Sequence, residues 1–165
     1  MIEVVVVRHG IAVDRDEWDE DDFDRPLTEK GVERMEKAAL GLKKIVGEMN
    51  GVVSSPYVRA KQTADILGNT FDCKVEVVEQ LGCGRYKECK ALLPTQGRYL
   101  FVGHEPDLRQ FAAEACKISA SGIEPLKKGG ALSIKKGPAD NWAISWIFQP
   151  RHLRSIGNSL VKIAA

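Results

Sequence analysis

Two arginines and two histidines in this chain lie at or just beyond the ends of predicted strands. Arg8 and His9 follow the valine run at 4–7. Arg59 lies one turn into the helix after a second strand, and His104 follows a later strand. In open α/β sheets, ligands bind beyond the carboxyl ends of the strands. We therefore expect these four side chains to form one site, although each of them alone is compatible with a structural role.

The chemistry that these residue types predict is the binding and transfer of a phosphoryl group. A guanidinium presents a planar fork of donors that matches phosphate oxygens. Helices predicted to begin at Pro56 and Pro106 would add favourable dipoles at their N-termini. A neutral imidazole such as that of His9 can attack phosphorus, which divides one hydrolysis into two transfers that nearby cations stabilise. Gly10 lets the backbone turn sharply or approach a ligand closely.

The elements that must position these residues follow from the apolar patterns. Residues 2–7 are typical of a strand buried on both faces, with an acidic residue at position 3. Shorter apolar or alternating runs predict further strands at 51–54, 74–78, 98–102, 131–135 and 142–148. Helical patterns lie between several of these strands, which favours a layered α/β fold with a mostly parallel central sheet. We find no linker or repeat, so we expect a single domain over residues 1–165.

The helix boundaries are predicted from capping residues. Thr28 is expected to cap a helix whose apolar face runs to Met49. Ser55 and Pro56 are expected to open a second helix that ends near Gly68. A third helix is predicted at 106–116, and the segment from Arg151 is ambiguous, with a short helix as one interpretation.

Composition restricts the partners and the location of the protein. The formal net charge of +1 argues against a general nucleic-acid-binding surface. No apolar run approaches the roughly 18 residues that suggest a membrane span, and a secretory signal pattern is absent. The cysteines are scattered and do not form a metal-binding pattern, so we expect reduced thiols in a cytoplasmic protein with neither metal nor cofactor. They stand at Cys73, Cys83, Cys89 and Cys116.

Four motifs, in this order along the chain, resemble the histidine phosphatase superfamily, which is the phosphoglycerate mutase-like group. They are R-H-G at 8–10, P-L-T-E-K-G at 26–31, S-S-P-Y-V-R-A-K-Q-T-A at 54–64 and V-G-H-E-P at 102–106. The small size and the R-P-L-T-x-x-G segment are most similar to the SixA branch, the phosphohistidine phosphatases.

The resemblance implies a fold and a role for each site residue. The implied fold is a three-layer α/β/α sandwich. His9 would be the nucleophile that becomes phosphorylated, and Arg8 and Arg59 would bind the phosphoryl oxygens. His104 would be the second pocket histidine in contact with the same group, and Gly10 would form part of the substrate-binding turn. Members of the family need no metal, and the resemblance implies no cofactor.

One position departs from the pattern of many phosphomonoesterases in the superfamily. These carry a glutamate soon after the third strand, which protonates a leaving alkoxide, whereas Cys83 stands in the corresponding stretch here, E-Q-L-G-C-G-R-Y. An alkoxide needs a positioned acid, worth typically 10²–10⁴-fold in rate. Imidazole is a far less basic leaving group, so the departure favours a phosphohistidine substrate, expected on a protein. Cys83 is otherwise explained as a small packing residue.

The sequence is also compatible with two other functions. One is a broad small-molecule phosphomonoesterase with the same mechanism, and the other is a non-catalytic module that recognises phosphorylated ligands. We expect either a phosphohistidine-bearing protein or a small phosphorylated substrate as the partner, and neither nucleic acid nor a membrane.

The segment 14–24 carries eight carboxylates and one arginine. The simplest interpretation is a solvated surface loop. The alternative is an acidic rim that attracts a basic protein surface around the phosphorylated histidine and repels small polyanions.

Overall fold

The computed structural model describes residues 1–164, with side chains as far as residue 159. Its central sheet contains β1 (Glu3–Arg8), β2 (Gly51–Ser54), β3 (Val75–Val77), β4 (Arg98–Gly103), β5 (Ala131–Lys136) and β6 (Trp142–Phe148). The strand order is β3-β2-β4-β1-β5-β6. The four strands β1 to β4 run parallel, and β5 is antiparallel to both of its neighbours, β1 and β6. The predicted mostly parallel sheet is confirmed.

Helices cover both faces of this sheet. They are α1 (Glu29–Val46), α2 (Val58–Phe71), α3 (Asp107–Cys116) and α4 (Pro150–Ala164). Val5 and Val7 of β1 pack into the core beneath α1, α2 and α4, whereas Val4 and Val6 pack into the core that contains α3. All four valines are 0% exposed, so β1 is buried on both faces as predicted. The arrangement is the expected three-layer α/β/α sandwich.

The second helix differs from its prediction at both ends. It begins at Val58 rather than at Pro56, and Tyr57 takes the capping position in place of Ser55. The Ser55 hydroxyl contacts the His104 ring instead. The helix continues past Gly68 to Phe71. Gly68 is a packing position within the helix, since a Cβ there would lie 2.6 Å from Val75 Cγ2.

The ambiguous C-terminal segment is the helix α4, and it packs closely against α1. Two glycines allow this contact. A Cβ at Gly41 would lie 1.9 Å from the Leu153 carbonyl oxygen, and one at Gly157 would lie 2.0 Å from the Lys37 carbonyl oxygen. The backbones of α1 and α4 therefore touch where these glycines meet. In the part of the chain that the structure describes, no helix is both long and apolar enough to cross a bilayer.

Substituting alanine for Gly41 should destabilise the fold, although alanine in a helix interior normally stabilises by roughly 1 kcal/mol relative to glycine. The added methyl group would overlap the α4 backbone, and overpacking of this kind costs about 1–3 kcal/mol. Urea unfolding should therefore show a lower midpoint for Gly41→Ala.

Gly122→Ala is the matched control, because a Cβ at Gly122 meets nothing within 4 Å. We expect its midpoint to stay close to that of the wild type. If Gly41→Ala were as stable as this control, the close approach of α1 and α4 would be wrong.

Candidate functional site

The site lies at the carboxyl ends of β2, β4 and β1, which are neighbours in the sheet. His9 directly follows β1 and His104 directly follows β4, and their ring centroids lie 5.2 Å apart. Arg59 reaches the site from the first turn of α2, and Arg8 is the last residue of β1. Both guanidinium groups act electrostatically on His9 and His104. The structure thus brings together all four residues that the sequence singled out.

The His9 ring is held in one orientation by the backbone of the next residue. Its side chain is buried, and Nδ1 lies 2.7 Å from the Gly10 carbonyl oxygen. That oxygen can only accept, so Nδ1 carries the proton and Nε2 keeps a free lone pair. Burial, followed by the nearby His104, lowers the pKa of His9 to about 2. The ring is therefore neutral at physiological pH, which is the form that can attack phosphorus.

Gly10 is fixed by a residue that the sequence did not single out. Its N–H donates to Thr63 Oγ1 at 3.0 Å, and the Thr63 hydroxyl donates to the Arg59 carbonyl oxygen at 2.8 Å. Thr63 thereby ties the turn after β1 to the helix that carries Arg59. A Cβ at Gly10 would lie 3.3 Å from Leu27, so the position is also tightly packed.

His104 is oriented by Ser55. The Ser55 hydroxyl oxygen lies 2.8 Å from His104 Nε2 and also accepts the Tyr57 N–H at 3.3 Å. We infer that the hydroxyl donates to Nε2, which places the His104 proton on Nδ1. Burial, followed by the charge of Arg59, lowers the pKa of His104 to about 3. The Tyr57 ring packs edge-on against the imidazole at 4.9 Å.

Three buried nitrogens of the site have no hydrogen-bond partner among the residues whose side chains the structure describes. They are Arg8 Nε, Arg59 Nε and His104 Nδ1. The great majority of buried polar groups are satisfied, so three such nitrogens in one site are unusual. Arg8 is anchored through Nη1, which donates to the Leu126 carbonyl oxygen at 2.7 Å. A phosphoryl group, with several acceptor oxygens and negative charge, complements such donors.

Arg59 is already engaged by the acidic segment. Its Nη1 and Nη2 donate to the backbone oxygen and the carboxylate of Asp22, at 2.6 and 2.9 Å. Most of the segment 14–24 is exposed, as expected for a solvated loop, but Asp22 is half-buried. The Arg25 and Arg59 side chains hold the pKa of the Asp22 carboxyl below its ordinary value despite the opposing effect of its burial. Asp22 is therefore an ionised carboxylate at a position where phosphate oxygens would compete with it.

Cys83 lies beside Arg59, at the rim of the site. Its sulfur is 4.0 Å from Arg59 Nη2. Although the residue as a whole is exposed, the sulfur is partly buried, and this burial raises the pKa of the thiol. The loop that carries it is held where Asp107 Oδ2 accepts the Gly84 N–H at 2.8 Å. A neutral thiol is a weak proton donor, so this position supplies no strong acid to the site.

Across residues 1–159, no group of three or more histidine, cysteine, aspartate or glutamate side chains is placed to hold a metal ion. The donor set of the site consists mainly of N–H groups and cations, which suits an anion.

The low pKa values of His9 and His104 predict a loss of stability in acid. In the unfolded chain these histidines take up protons below about pH 6.5, whereas in the folded chain they stay neutral to about pH 2 and 3. The unfolded state therefore binds more protons between these limits, and the free energy of unfolding falls as the pH decreases from 6.5. At pH 5 the expected loss is about 2 kcal/mol per histidine.

Urea unfolding at pH 7.5 and pH 5 measures this effect. The decrease in midpoint should be smaller in His9→Asn than in the wild type. An equal decrease in both proteins would mean that His9 is not held neutral by the fold.

Comparisons with known proteins agree with this geometry. The family model of the histidine phosphatase superfamily (branch 1) matches residues 4–82. An uncharacterized protein of Picosynechococcus sp. is 35% identical over 147 residues, which cover 84% of this chain and 87% of that protein. The mitochondrial serine/threonine-protein phosphatase Pgam5 of Drosophila persimilis is 31% identical over 119 residues, which cover 72% of this chain but only 38% of Pgam5.

Among solved structures, the protein histidine phosphatase SixA complexed with tungstate superposes with a TM-score of 0.81 at 26% identity. The match covers 92% of this chain and 99% of that one. The match of the family model, the near full-length superposition and the motifs at three adjacent strand ends are mutually consistent. The chain belongs to the histidine phosphatase superfamily, with a SixA-like structure.

Proposed function

We propose that this protein is a phosphohistidine phosphatase that acts through a covalent phosphoryl group on His9, with a protein as substrate. The observation that carries the proposal is the set of buried, unpartnered donors around the neutral His9 ring: Arg8 Nε, Arg59 Nε and His104 Nδ1. A nucleophile with a free lone pair and a rigid cluster of donors for the phosphoryl oxygens are what phosphoryl transfer requires.

The first step transfers the phosphoryl group to the enzyme. Nε2 of His9 attacks phosphorus, the new N–P bond forms, and the N–P bond to the substrate imidazole breaks. The other ring nitrogen of the substrate imidazole takes up a proton from solvent, so the imidazole leaves as a neutral ring with the electron pair of the broken bond. Arg8, Arg59 and His104 hold the oxygens as charge redistributes in the transition state.

The second step releases phosphate. Water attacks the phosphoryl group on His9, loses a proton, and the N–P bond breaks with its electron pair returning to Nε2. The Nδ1–H···O=C contact with Gly10 keeps the ring in the same tautomer before and after each transfer. The ring therefore needs no reorientation between the two steps.

Rapid-quench labelling tests this mechanism. The protein is mixed with a protein that carries ³²P-phosphohistidine, quenched, and examined for an acid-labile, base-stable label on the enzyme. We expect labelling in the wild type and none in His9→Ala. His152→Ala is the matched control, since this exposed histidine lies outside the site, and it should label like the wild type. Hydrolysis at full rate in His9→Ala would overturn the mechanism.

A broad phosphomonoesterase is the second candidate, supported by the partial likeness to a relative named as a serine/threonine-protein phosphatase. The ratio of kcat/KM values for phosphohistidine and for an alkyl phosphate decides between the two. A ratio well above one supports the first proposal, and a ratio below one supports the second. Binding of phosphohistidine without turnover would instead indicate a non-catalytic recognition module.

We also propose a cytoplasmic location. All four cysteines are free, which supports this proposal.

A further inference from the structure

A cavity of about 540 Å³ lies beside the phosphoryl site, and we call it the basic cavity. The Arg8 side chain lines it, so the cavity and the phosphoryl site share one residue. Six cationic residues line it: Arg8, Arg34, Lys127, Lys128, Arg151 and Arg154. The carboxylate among its lining residues is Glu124. Neither the sequence motifs nor the proposed reaction accounts for this concentration of positive charge.

Positive charge exceeds negative charge among the residues that line the basic cavity. None of its cationic side chains forms an ion pair with a residue whose side chain the structure describes, although the charge of Glu105 acts on Arg8. Burial, followed by the charge of Arg34, lowers the pKa of Arg154. These two arginines come from α1 and α4, and the backbone contact at Gly41 and Gly157 brings the two helices together. Like charges held close by the fold are costly unless an anion relieves them.

The loop that carries the two lysines is fixed to the phosphoryl site. The Gly129 N–H donates to the carbonyl oxygens of both Arg8 and His9, each at 3.1 Å. The Lys127 N–H donates to Oε1 of the buried Gln149 at 2.9 Å, and Gln149 Nε2 donates to the Pro125 carbonyl oxygen at 3.0 Å. The backbone that carries Lys127 and Lys128 is therefore anchored next to the nucleophile.

The size of the cavity selects the kind of ligand. Small-molecule sites typically have volumes of about 300–1,000 Å³. A cavity of this size with six cations suits a compact ligand that carries several negative charges. The lack of a strong acid at Cys83 restricts the substrate further, because without that acid the leaving group must be only weakly basic. A phosphate group that leaves from a phosphoanhydride meets both requirements.

We propose that the basic cavity is a second anion subsite, which binds the inner phosphates of an oligophosphate chain whose terminal phosphoryl group is transferred to His9. The proposal rests on the phosphoryl-transfer function proposed above and adds a substrate class to it. His9 Nε2 attacks the terminal phosphorus, and the P–O bond to the bridging oxygen breaks. Its electron pair leaves on the shortened chain, which the basic cavity holds. Water then attacks the phosphoryl group on His9 and releases orthophosphate, a proton and the free ring.

Calorimetric titration with tripolyphosphate and with orthophosphate tests the subsite. The wild type should bind tripolyphosphate at least about tenfold more tightly than orthophosphate, since several charge-assisted contacts are added. The double variant Lys128→Gln/Arg154→Gln should lose this preference and keep its affinity for orthophosphate. Lys44→Gln is the matched control, because it removes an exposed charge from α1 about 15 Å along the helix from Arg34. It should bind like the wild type.

Release of orthophosphate from tripolyphosphate and from ATP tests the activity and distinguishes a free chain from a nucleotide tail. His9-dependent release from either supports the proposal, and the faster substrate identifies the source. Any one of three results would overturn the proposal. They are equal binding of tripolyphosphate and orthophosphate, a preference for tripolyphosphate that persists in the double variant, and no His9-dependent release of orthophosphate. If phosphohistidine labels His9 but the protein shows no preference for tripolyphosphate, the subsite proposal is wrong and the proposed mechanism stands. If His9→Ala still releases orthophosphate from tripolyphosphate, the mechanism through His9 is wrong.

Discussion

Replacing Arg59 with alanine is expected to lower kcat/KM for phosphohistidine by about 10³, the upper range for loss of one donor that stabilises transition-state charge. Arg59 is 3% exposed, and its buried Nε has no partner in the described part of the chain. The guanidinium also stacks over the Tyr57 ring at 4.9 Å, which limits its freedom. Its donors are therefore preorganised, and preorganised donors act most strongly in the transition state.

Asp22→Asn should change the kinetics in the opposite direction. The Asp22 carboxylate and backbone oxygen accept from both terminal nitrogens of Arg59, so a phosphoryl group that approaches these nitrogens must compete with Asp22. The carboxyl stays ionised because its pKa is lowered, and the competition therefore persists at neutral pH. Neutralising it should lower KM several-fold while kcat changes little, since the contact is broken before the transition state.

Steady-state kinetics of the two variants measure both effects. Arg85→Ala is a suitable control, because this exposed arginine pairs with Glu88 and Glu79 near the same rim without contacting the site. Its kcat/KM should stay close to that of the wild type. A decrease of less than tenfold for Arg59→Ala, or a raised KM for Asp22→Asn, would contradict the assigned roles.

The strand ends could be predicted from the sequence because their signals are local. A run of valines that ends in Arg8-His9-Gly10 marks a buried strand and the polar residues beyond it without any knowledge of its neighbours. The adjacency of β2, β4 and β1 then places the site, as the general rule for open sheets states. This reasoning predicts all four residues that the structure brings together: Arg8, His9, Arg59 and His104.

The residues that the sequence did not reveal depend on tertiary contacts. Thr63 lies within a helix, and its sequence neighbours do not indicate that its hydroxyl accepts a hydrogen bond from the Gly10 N–H. Gly31 lies in the first turn of α1, where a Cβ would lie 2.0 Å from the Ile11 carbonyl oxygen, and nothing in the local sequence indicates this contact. The same limitation explains the misplaced start of α2, since the Ser55 hydroxyl serves His104 rather than the helix.

The acidic residue in the first strand is a further case. Glu3 interrupts the apolar run but is completely buried. Its Oε2 accepts from Arg98 Nε at 2.8 Å, and its Oε1 accepts from the Ser133 hydroxyl at 2.6 Å. These partners stand on β4 and β5, the two strands that flank β1 in the sheet. A buried carboxylate is acceptable only when it is paired, and the pairing appears only after the strand order is known.

Cys83→Glu is expected to raise kcat/KM for alkyl phosphate monoesters by about 10², the lower end of the range for a positioned general acid. The Cys83 sulfur lies 4.0 Å from Arg59 Nη2, so a side chain at this position reaches the rim of the phosphoryl site. The Asp107 contact that anchors Gly84 holds the loop in place. A carboxylic acid here could deliver a proton to a leaving alkoxide, which the neutral thiol does poorly.

The same substitution should leave kcat/KM for phosphohistidine nearly unchanged, because imidazole departs without a strong acid. The ratio of the two kcat/KM values is therefore the measurement that matters, and it cancels general damage to the site. Cys83→Gln has nearly the same size as the glutamate variant but no acidic proton, so it should not improve ester hydrolysis. Equal gains in the two variants would indicate a steric effect. No gain in either would mean that a residue other than Cys83 determines the preference among leaving groups.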